Sequence, residues 1–464
     1  MHCSLRQLYK GGERLKKSLK WILFVCVFFL QLSFLGGCGK KEVVIVDNAG
    51  KEIEVLSETE YGEGKMSEAG HRAYVEVVMD EAIQIVSEEK NCSIDEAEKL
   101  IFQEGYSLYT VFEEEIYNAI AESKLLDEKV SMGCAVTDLK GNLLAAYSAG
   151  DYEQEYQNFA TKDTAPYSSF KPLSVYAPAI ESGIATWSTT YMDEPIKQIE
   201  DESGRLRDWP ANATGTYSNE GVGVYEAIEK SLNTIAVRCL QEYGVKNSLT
   251  FMKEKFGLTL EFEESRTYIL GEEETIGNIA LGYLQDGVSP IDMAGYYQVF
   301  ANGGSYTEPK TIRKICDGDG KVIYERETES KQVISGQTSY IMNQLLQNVV
   351  SAGGTGKKAQ CEGILVGGKT GTGDIGNWFV GFTPEYTCAV WHGISAEKNQ
   401  TAELFADIVS KFEYDESLTF PENDGVQKIV FCEDSGMSVS SDCRKIKMGY
   451  YSLAVELPIC DKHK

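Results

Sequence analysis

The sequence has 464 residues, 42% apolar and 25% charged. That is a globular composition long enough for roughly two or three hydrophobic cores, and it excludes disorder and collagen-like repeats. The first 41 residues hold eight basic residues and, of the acidic ones, only Glu13, so residues 42–464 carry 36 basic against 70 acidic groups, a net charge of −34; a surface that acidic repels phosphate backbones and argues against a nucleic-acid partner.

At the amino terminus Arg6, Lys10, Arg14, Lys16, Lys17 and Lys20 precede an apolar run from Trp21 to Phe34, broken only by Gln31 and Ser33. This is the layout of a secretory signal, so the rest of the chain is expected outside the cell. At about 14 residues the run falls short of the roughly 20 that a spanning helix needs. It ends in Leu35-Gly36-Gly37-Cys38, which resembles a bacterial lipobox. That resemblance implies a diacylated Cys38 as the mature terminus. An uncleaved signal anchor is the other reading of residues 1–41, and both tether the chain to the extracytoplasmic face of a bacterial membrane.

Val43 to Val46 and Ile53 to Leu56 flank Asp47-Asn48-Ala49-Gly50, the pattern of a small hairpin. Tyr74, Val78, Ala82 and Ile85 fall at helical spacing, and Ser93 with Glu96 makes a capping box for a second helix to about Gln103. Residues 42–125 therefore read as a hairpin plus a helical stalk. Residues 126–415 look like one compact unit, without a long linker or an internal repeat. It opens with strand-like runs Val130 to Val136 and Leu143 to Tyr147, joined through Asp138-Leu139-Lys140-Gly141-Asn142, and closes with Ile364 to Gly373, Trp378 to Thr383 and Thr387 to His392. The short connections make the last three antiparallel neighbours. The long stretch between the two sets is dominated by helical periodicity, and a last helix is expected from Ala402 to Phe412. The class is α/β, a sheet flanked by helices.

Residues 416–464 form a cysteine-containing tail. Setting aside Cys3, Cys26 and Cys38, nine cysteines remain in the exported part. An odd number leaves at least one thiol free or paired between chains. Cys432, Cys443, Cys460 and His463 lack short Cys-x-x-Cys knuckles, so no metal site is expected, and a Cys432 to Cys443 disulfide is preferred.

Three patterns carry chemistry. Ser-x-x-Lys occurs at Ser87, Ser168 and Ser395, and is weak by itself; Ser87 and Ser395 lie in polar surroundings. Ser168-Ser169-Phe170-Lys171 differs because Phe170, Leu173, Ala177, Ile180 and Ile184 continue at helical spacing, so Ser168 should start a buried helix with Lys171 one turn on. Pro178 should kink that helix. Ser231-Leu232-Asn233, the only Ser-x-Asn, sits between helical stretches Val224 to Lys230 and Ile235 to Tyr243; Lys369-Thr370-Gly371 ends the first closing strand.

In this order, 63 and then 138 residues apart, the three match a known signature set of active-site serine enzymes. With Ala236-Val237-Arg238, Gly367-Gly368 and Trp378-Phe379-Val380-Gly381-Phe382-Thr383-Pro384, the chain resembles the transpeptidase domain of penicillin-binding proteins over residues 126–415. Gly105-Tyr106-Ser107-Leu108-Tyr109-Thr110 and the tail around Cys432 are similar to flanks of the bifunctional class. The roughly 85 residues ahead of Leu125 are too few for that class's glycosyltransferase domain, so polymerase activity is expected to be absent and a separate glycosyltransferase to supply glycan strands.

The resemblance implies a penicillin-binding transpeptidase fold, with a five-stranded antiparallel sheet flanked by helices plus a mostly helical subdomain, and no cofactor. It implies peptidoglycan stem peptides as D-Ala-D-Ala donors, a neighbouring amine as acceptor, and β-lactams as ligands. Carried over residue by residue, it implies Ser168 as nucleophile, Ser231 as proton relay and Asn233 on the substrate amide. Lys369, Thr370 and Thr372 would hold a terminal carboxylate, with Gly371 between them, and the backbone amides of Ser168 and Thr372 would form the oxyanion hole.

The residues support this directly. Serine needs a base within reach. His2, His71, His392 and His463 are scattered, so Lys171 must serve, which requires burial and a nearby cation, expected to be Lys369, to keep it neutral. Departures from the family pattern are Tyr167 in place of glycine, Gly373 and Gly376 in place of Thr and Asp, and His392 in place of an apolar residue, read as a packed or edge residue. A D,D-carboxypeptidase and a β-lactam sensor or scaffold remain as alternatives. A class A β-lactamase, which needs a glutamate to activate its deacylating water, is the less favoured reading.

Overall fold

The computed structural model describes residues 42–463 apart from 66–70, 128, 151–155, 201–203, 261–274, 395–398 and 416. The apolar run Trp21 to Phe34, Cys38 and Ser395 lie outside the described residues. Among those described, no helix is long and apolar enough to cross a membrane.

The strands of the three main sheets are, in chain order, β1 (Val43–Val46), β2 (Glu52–Leu56), β3 (Ser107–Thr110), β4 (Met132–Asp138), β5 (Leu143–Ala149), β6 (Ile312–Cys316), β7 (Val322–Glu325), β8 (Gly367–Thr372), β9 (Gly376–Phe382), β10 (Tyr386–Gly393), β11 (Val426–Cys432) and β12 (Ile446–Ser452). The central sheet has the order β8-β9-β10-β4-β5 and is antiparallel throughout. It is the expected five-stranded sheet. Helix Thr401–Val409 covers one part of it with Leu404, Phe405, Ile408 and Val409, and Phe405 meets Phe379 of β9 at 4.8 Å between ring centres. His392, in β10, is half-buried in the interior of this sheet, its Nδ1 at 2.8 Å from the carbonyl of Gly393.

The expected stalk is corrected by the second sheet, of order β7-β6-β3-β1-β2. β1 and β2 form the expected hairpin, but β1 also runs parallel to β3, and β3 pairs antiparallel with β6 from the far half of the chain. Helix Arg72–Lys90 is fastened to the body as well: Tyr74 donates from its hydroxyl to the Leu143 carbonyl at 3.0 Å, and the carboxylate of Glu81 accepts from the backbone and hydroxyl of Thr311, both at 2.6 Å. Local periodicity identifies these elements but not their partners, because pairing across some 200 residues is set by which apolar faces remain uncovered. One contiguous core reaches from Val43 to Tyr451. The second helix begins on the expected capping box, Ser93 with Glu96.

The segment after Ser168 is not one kinked helix. A 3-10 turn, Tyr167–Phe170, runs into a wider π turn, Pro172–Tyr176, and then a short α segment, Ala177–Glu181, so that Ile184 falls beyond the helix and is exposed. Pro178 has no N–H to give the Ser174 carbonyl, which accepts instead from the hydroxyl of Ser248 at 2.6 Å. The orphaned acceptor is thus satisfied from another helix, and the irregular turn persists beside the site, as such π turns often do.

In the tail, β11 and β12 form a hairpin in which Cys432 opposes Ile446. The expected Cys432 to Cys443 disulfide is not formed. Both are free thiols, and the Cys460 sulfur and a His463 ring nitrogen lie within 4.8 Å of them.

Candidate active site

Ser168 sits partly buried in the 3-10 turn, and the turn is pinned on every side. Trp378 of β9 donates from Nε1 to the Ala165 carbonyl at 2.9 Å, Tyr167 N donates to the Gly282 carbonyl at 2.9 Å, and Ser169 Oγ donates to the Pro166 carbonyl at 2.6 Å. The turn lies against β8, the edge strand that carries Lys369, Thr370, Gly371 and Thr372. Gly371 is required there: a Cβ would come within 2.5 Å of the Pro166 carbonyl oxygen and 3.2 Å of Ser169 Oγ.

Ser231 ends helix Val224–Lys230 with a left-handed φ of 59°, and helix Asn233–Tyr243 starts two residues on. This break turns both polar groups of Ser-x-Asn into the site. Lys171 donates from Nζ to the Ser231 carbonyl at 3.0 Å and to Asn233 Oδ1 at 2.6 Å. Lys369 donates from Nζ to Ser231 Oγ at 2.8 Å and to the Thr370 carbonyl at 3.1 Å. Both lysine side chains are fully buried. Burial pushes the Lys171 amine well below the ordinary lysine range, and the neighbouring Lys369 cation pushes it further. Burial alone lowers Lys369 to about 7.

On the outer end of β8, Thr370 Oγ1 lies 3.0 Å from Thr355 Oγ1, and the exposed Thr372 accepts from Asn399 Nδ2 at 3.4 Å. The arrangement places a hydroxyl on a rigid turn, one amine whose charged form is disfavoured and a second lowered to about 7 around a shared serine. It is equipped for proton transfer to and from an acyl centre.

Sequence reasoning missed two supports. The first is the buried carboxylate of Asp193, which accepts from Asn212 Nδ2 at 2.7 Å, Thr234 Oγ1 at 2.6 Å and Ser218 N at 2.8 Å. Burial would raise its pKa, but these bonds outweigh burial and hold the carboxyl below its usual value. Asn212 Oδ1 in turn accepts from Asn233 N at 2.9 Å, fixing the start of the helix that carries Asn233. Asp193 and Asn212 belong to no short motif, so only the fold identifies them.

The second links two of the departures. Tyr167 adopts φ 49°, the left-handed backbone that explains why glycine suits this position. Its ring fills the space over Gly373, where a Cβ would lie 1.9 Å from Tyr167 Cζ, and its hydroxyl donates to Asp374 Oδ1 at 2.7 Å. The large residue at 167 and the missing side chain at 373 are therefore one exchange of volume across the mouth of the site.

Fold and site together fit the class of active-site serine enzymes with the transpeptidase fold, with two buried lysines grouped around Ser231. The comparisons with known proteins agree. The family described as penicillin binding protein transpeptidase domain matches residues 132–411. Penicillin-binding protein 1A of Clostridium acetobutylicum is 36% identical over 282 residues, covering 57% of this chain and 34% of that protein, and penicillin-binding protein 1F of Bacillus subtilis is 34% identical over 294 residues, covering 60% and 38%. This chain therefore spans little more than a third of the length of these relatives. The crystal structure of penicillin-binding protein 1A from Haemophilus influenzae superposes with a TM-score of 0.66 at 17% identity, covering 87% of this chain and 80% of that one. That of the D,D-transpeptidase domain of a peptidoglycan glycosyltransferase from Eggerthella lenta gives 0.60 at 17% identity, covering 80% and 98%. The chain belongs to the penicillin-binding protein transpeptidase domain family.

Proposed function

We propose that this chain is a membrane-tethered D,D-transpeptidase that cross-links peptidoglycan stem peptides through an acyl-enzyme on Ser168. The observation that carries the proposal is the hydrogen bonding of Lys171. A neutral amine has two N–H groups and one lone pair. The bonds to the Ser231 carbonyl and Asn233 Oδ1 use both N–H groups and leave the lone pair for the Ser168 proton.

Ser168 Oγ then attacks the carbonyl between the last two D-Ala residues, giving its proton to Lys171. The backbone amides of Ser168 and Thr372 hold the oxyanion, the role that usually dominates acyl transfer. As the peptide C–N bond breaks, the proton passes through Ser231 to the departing D-Ala amine. Lys369 spends two N–H groups on Ser231 Oγ and the Thr370 carbonyl, so as an ammonium it keeps a third for the substrate carboxylate, beside Thr370 and Thr372. Asn233 positions the substrate amide. An amine of a neighbouring stem attacks the ester, forms the cross-link and returns the proton and Ser168 to their starting state. A β-lactam acylates the same oxygen but keeps its leaving group attached, so its adduct is long-lived.

The anchor belongs to the same proposal: Cys38 carries the lipid, and Cys38→Ala leaves an unprocessed, unlabelled precursor in a fatty-acid labelling experiment. The catalytic test is incubation with labelled penicillin, and separately with a stem pentapeptide and an amine acceptor, followed by mass analysis. Labelling of wild type, none of Ser168→Ala, and a cross-linked product are expected. Equal labelling of both proteins overturns the nucleophile. Release of D-Ala with no cross-link instead assigns a carboxypeptidase.

A further inference from the structure

The carboxyl-terminal tail holds a second cluster of reactive side chains that the reaction does not use. The sulfurs of Cys432, Cys443 and Cys460 and a ring nitrogen of His463 all lie within 4.8 Å of one another, although the four residues come from three separate stretches of chain. His463 Nδ1 is 3.5 Å from Cys432 Sγ and 3.6 Å from Cys460 Sγ. In a tetrahedral zinc site with Zn–S about 2.3 Å and Zn–N about 2.05 Å, the S···N edge is about 3.6 Å. All three sulfurs are free thiols, and Cys432 and Cys460 are buried.

The surroundings are those of a ligand set. His463 presents Nδ1 inward while its Nε2 lies 3.3 Å from Asp434 Oδ2, the carboxylate-to-imidazole contact that fixes ring orientation in metal sites. Cys443 Sγ accepts from the backbone N–H of Ser440 at 3.3 Å, and Cys460 Sγ accepts from Ser435 Oγ at 3.2 Å; both contacts stabilise charge on sulfur. Cys460-Asp461-Lys462-His463 brings two of the four groups together within one turn of chain. Lys445 lies 3.5 Å from Asp434, and Lys462 donates to the Asp434 carbonyl at 2.7 Å, placing positive charge beside a site that would carry net negative charge when three thiolates hold one dication.

We propose that Cys432, Cys443, Cys460 and His463 bind one zinc ion that is structural. Four protein ligands close the tetrahedron, as structural zinc sites do, and leave no open position for catalysis. Binding releases the thiol protons to solvent and needs no oxidant. The ion would fasten the turn end of the β11–β12 hairpin to the Cys460–His463 segment. That hairpin lies against the helix leading to Ser231: Phe431 meets Tyr225 at 5.5 Å between ring centres, and Lys447 lies 4.8 Å over the Tyr225 ring.

The experiment measures metal content of the full chain, purified under reducing conditions and again without reductant, by mass spectrometry of the elements and of the intact protein. One equivalent of zinc is expected in both preparations, as is a cobalt(II) form with the absorption of tetrahedral thiolate ligation. Cys443→Ser and His463→Ala should lose that equivalent, Asp434→Ala should weaken binding by about tenfold or more, and Cys92→Ser, outside the cluster, should keep it. Chelation should also expose three thiols to alkylation and loosen the β11–β12 hairpin in hydrogen exchange while Ser168 remains open to penicillin. Metal-free wild type, zinc retained by Cys443→Ser and His463→Ala alike, iron in place of zinc, or a disulfide joining two of the three cysteines would each overturn the assignment.

Discussion

Two clusters of ionisable side chains flank one short helix, Val224–Lys230, and they are built on opposite rules. At its carboxyl end, around Ser231, Lys171 and Lys369 are buried together, and among the described residues no carboxylate is paired with either. Their partners are neutral oxygens, so burial pushes both amines toward the uncharged form, and the Lys369 cation pushes Lys171 further. Toward the amino end, around Tyr225, charge meets charge: Lys447 lies 2.6 Å from Glu433, and Lys445 3.5 Å from Asp434. The first cluster withholds compensation and gains reactivity. The second supplies it and gains order. The helix between them transmits position, since the residue that caps it is Ser231.

The largest expected effect comes from removing the base. Lys171→Arg keeps a positive charge but cannot give a neutral amine, so it should be nearly as damaging as Lys171→Ala, with acylation of Ser168 slowed by about a thousandfold in both. An arginine variant within about threefold of wild type, under about 1 kcal/mol on the rate scale, would mean that charge alone is needed and would erase the contrast between the clusters.

Next in size is the pH dependence. Deprotonation of Lys171 makes the rate rise with pH through its depressed pKa, whereas Lys369, lowered to about 7, loses the cation that grips the carboxylate as pH rises past that value. The second-order acylation rate of the free enzyme should therefore fall on the alkaline side by up to about tenfold per pH unit. Lys369→Arg should be slower at its optimum but lose the alkaline limb. An unchanged limb would assign it to another group.

A smaller effect tests the exchange of volume at the mouth of the site. Gly373→Thr restores the family residue but drives a side chain into the Tyr167 ring, at a cost of about 1–3 kcal/mol in stability. Tyr167→Gly combined with Gly373→Thr should recover most of that loss in thermal unfolding. Additive losses in the double-mutant cycle would show that the two positions are independent.

The smallest effect is expected in the compensated cluster. The Lys447 side chain is half exposed, so its ion pair with Glu433 is screened, and Lys447→Ala should change stability by less than about 1 kcal/mol. A larger loss in a denaturant titration would mean that the tail depends on this contact and not on the cysteine and histidine groups.

The amino-acid sequence by itself determined the three motifs, their order, and the closing strands and the two helices around Ser231, though not the 3-10 and π turns that carry Ser168 and Lys171. These are local properties: Ser168 and Lys171 are one turn apart, Ser231 and Asn233 are separated by one residue between two periodic stretches, and the closing strands are joined by turns too short for anything but antiparallel pairing. The tertiary structure alone decided the rest. Whether Lys171 is a base depends on burial and on Lys369, and burial is a property of everything packed around the amine. The same holds for the Asp193 carboxylate that anchors Asn212, for Tyr167 filling the place of an absent side chain at 373, and for β3 pairing with β6 instead of standing in a stalk. The tail cysteines show it most directly: as a linear pattern they suggested a disulfide, and only the folded hairpin brings three sulfurs and an imidazole within 4.8 Å of one another. Spacing along a chain fixes what neighbours can do, while desolvation, volume and ligand geometry arise only where distant segments meet.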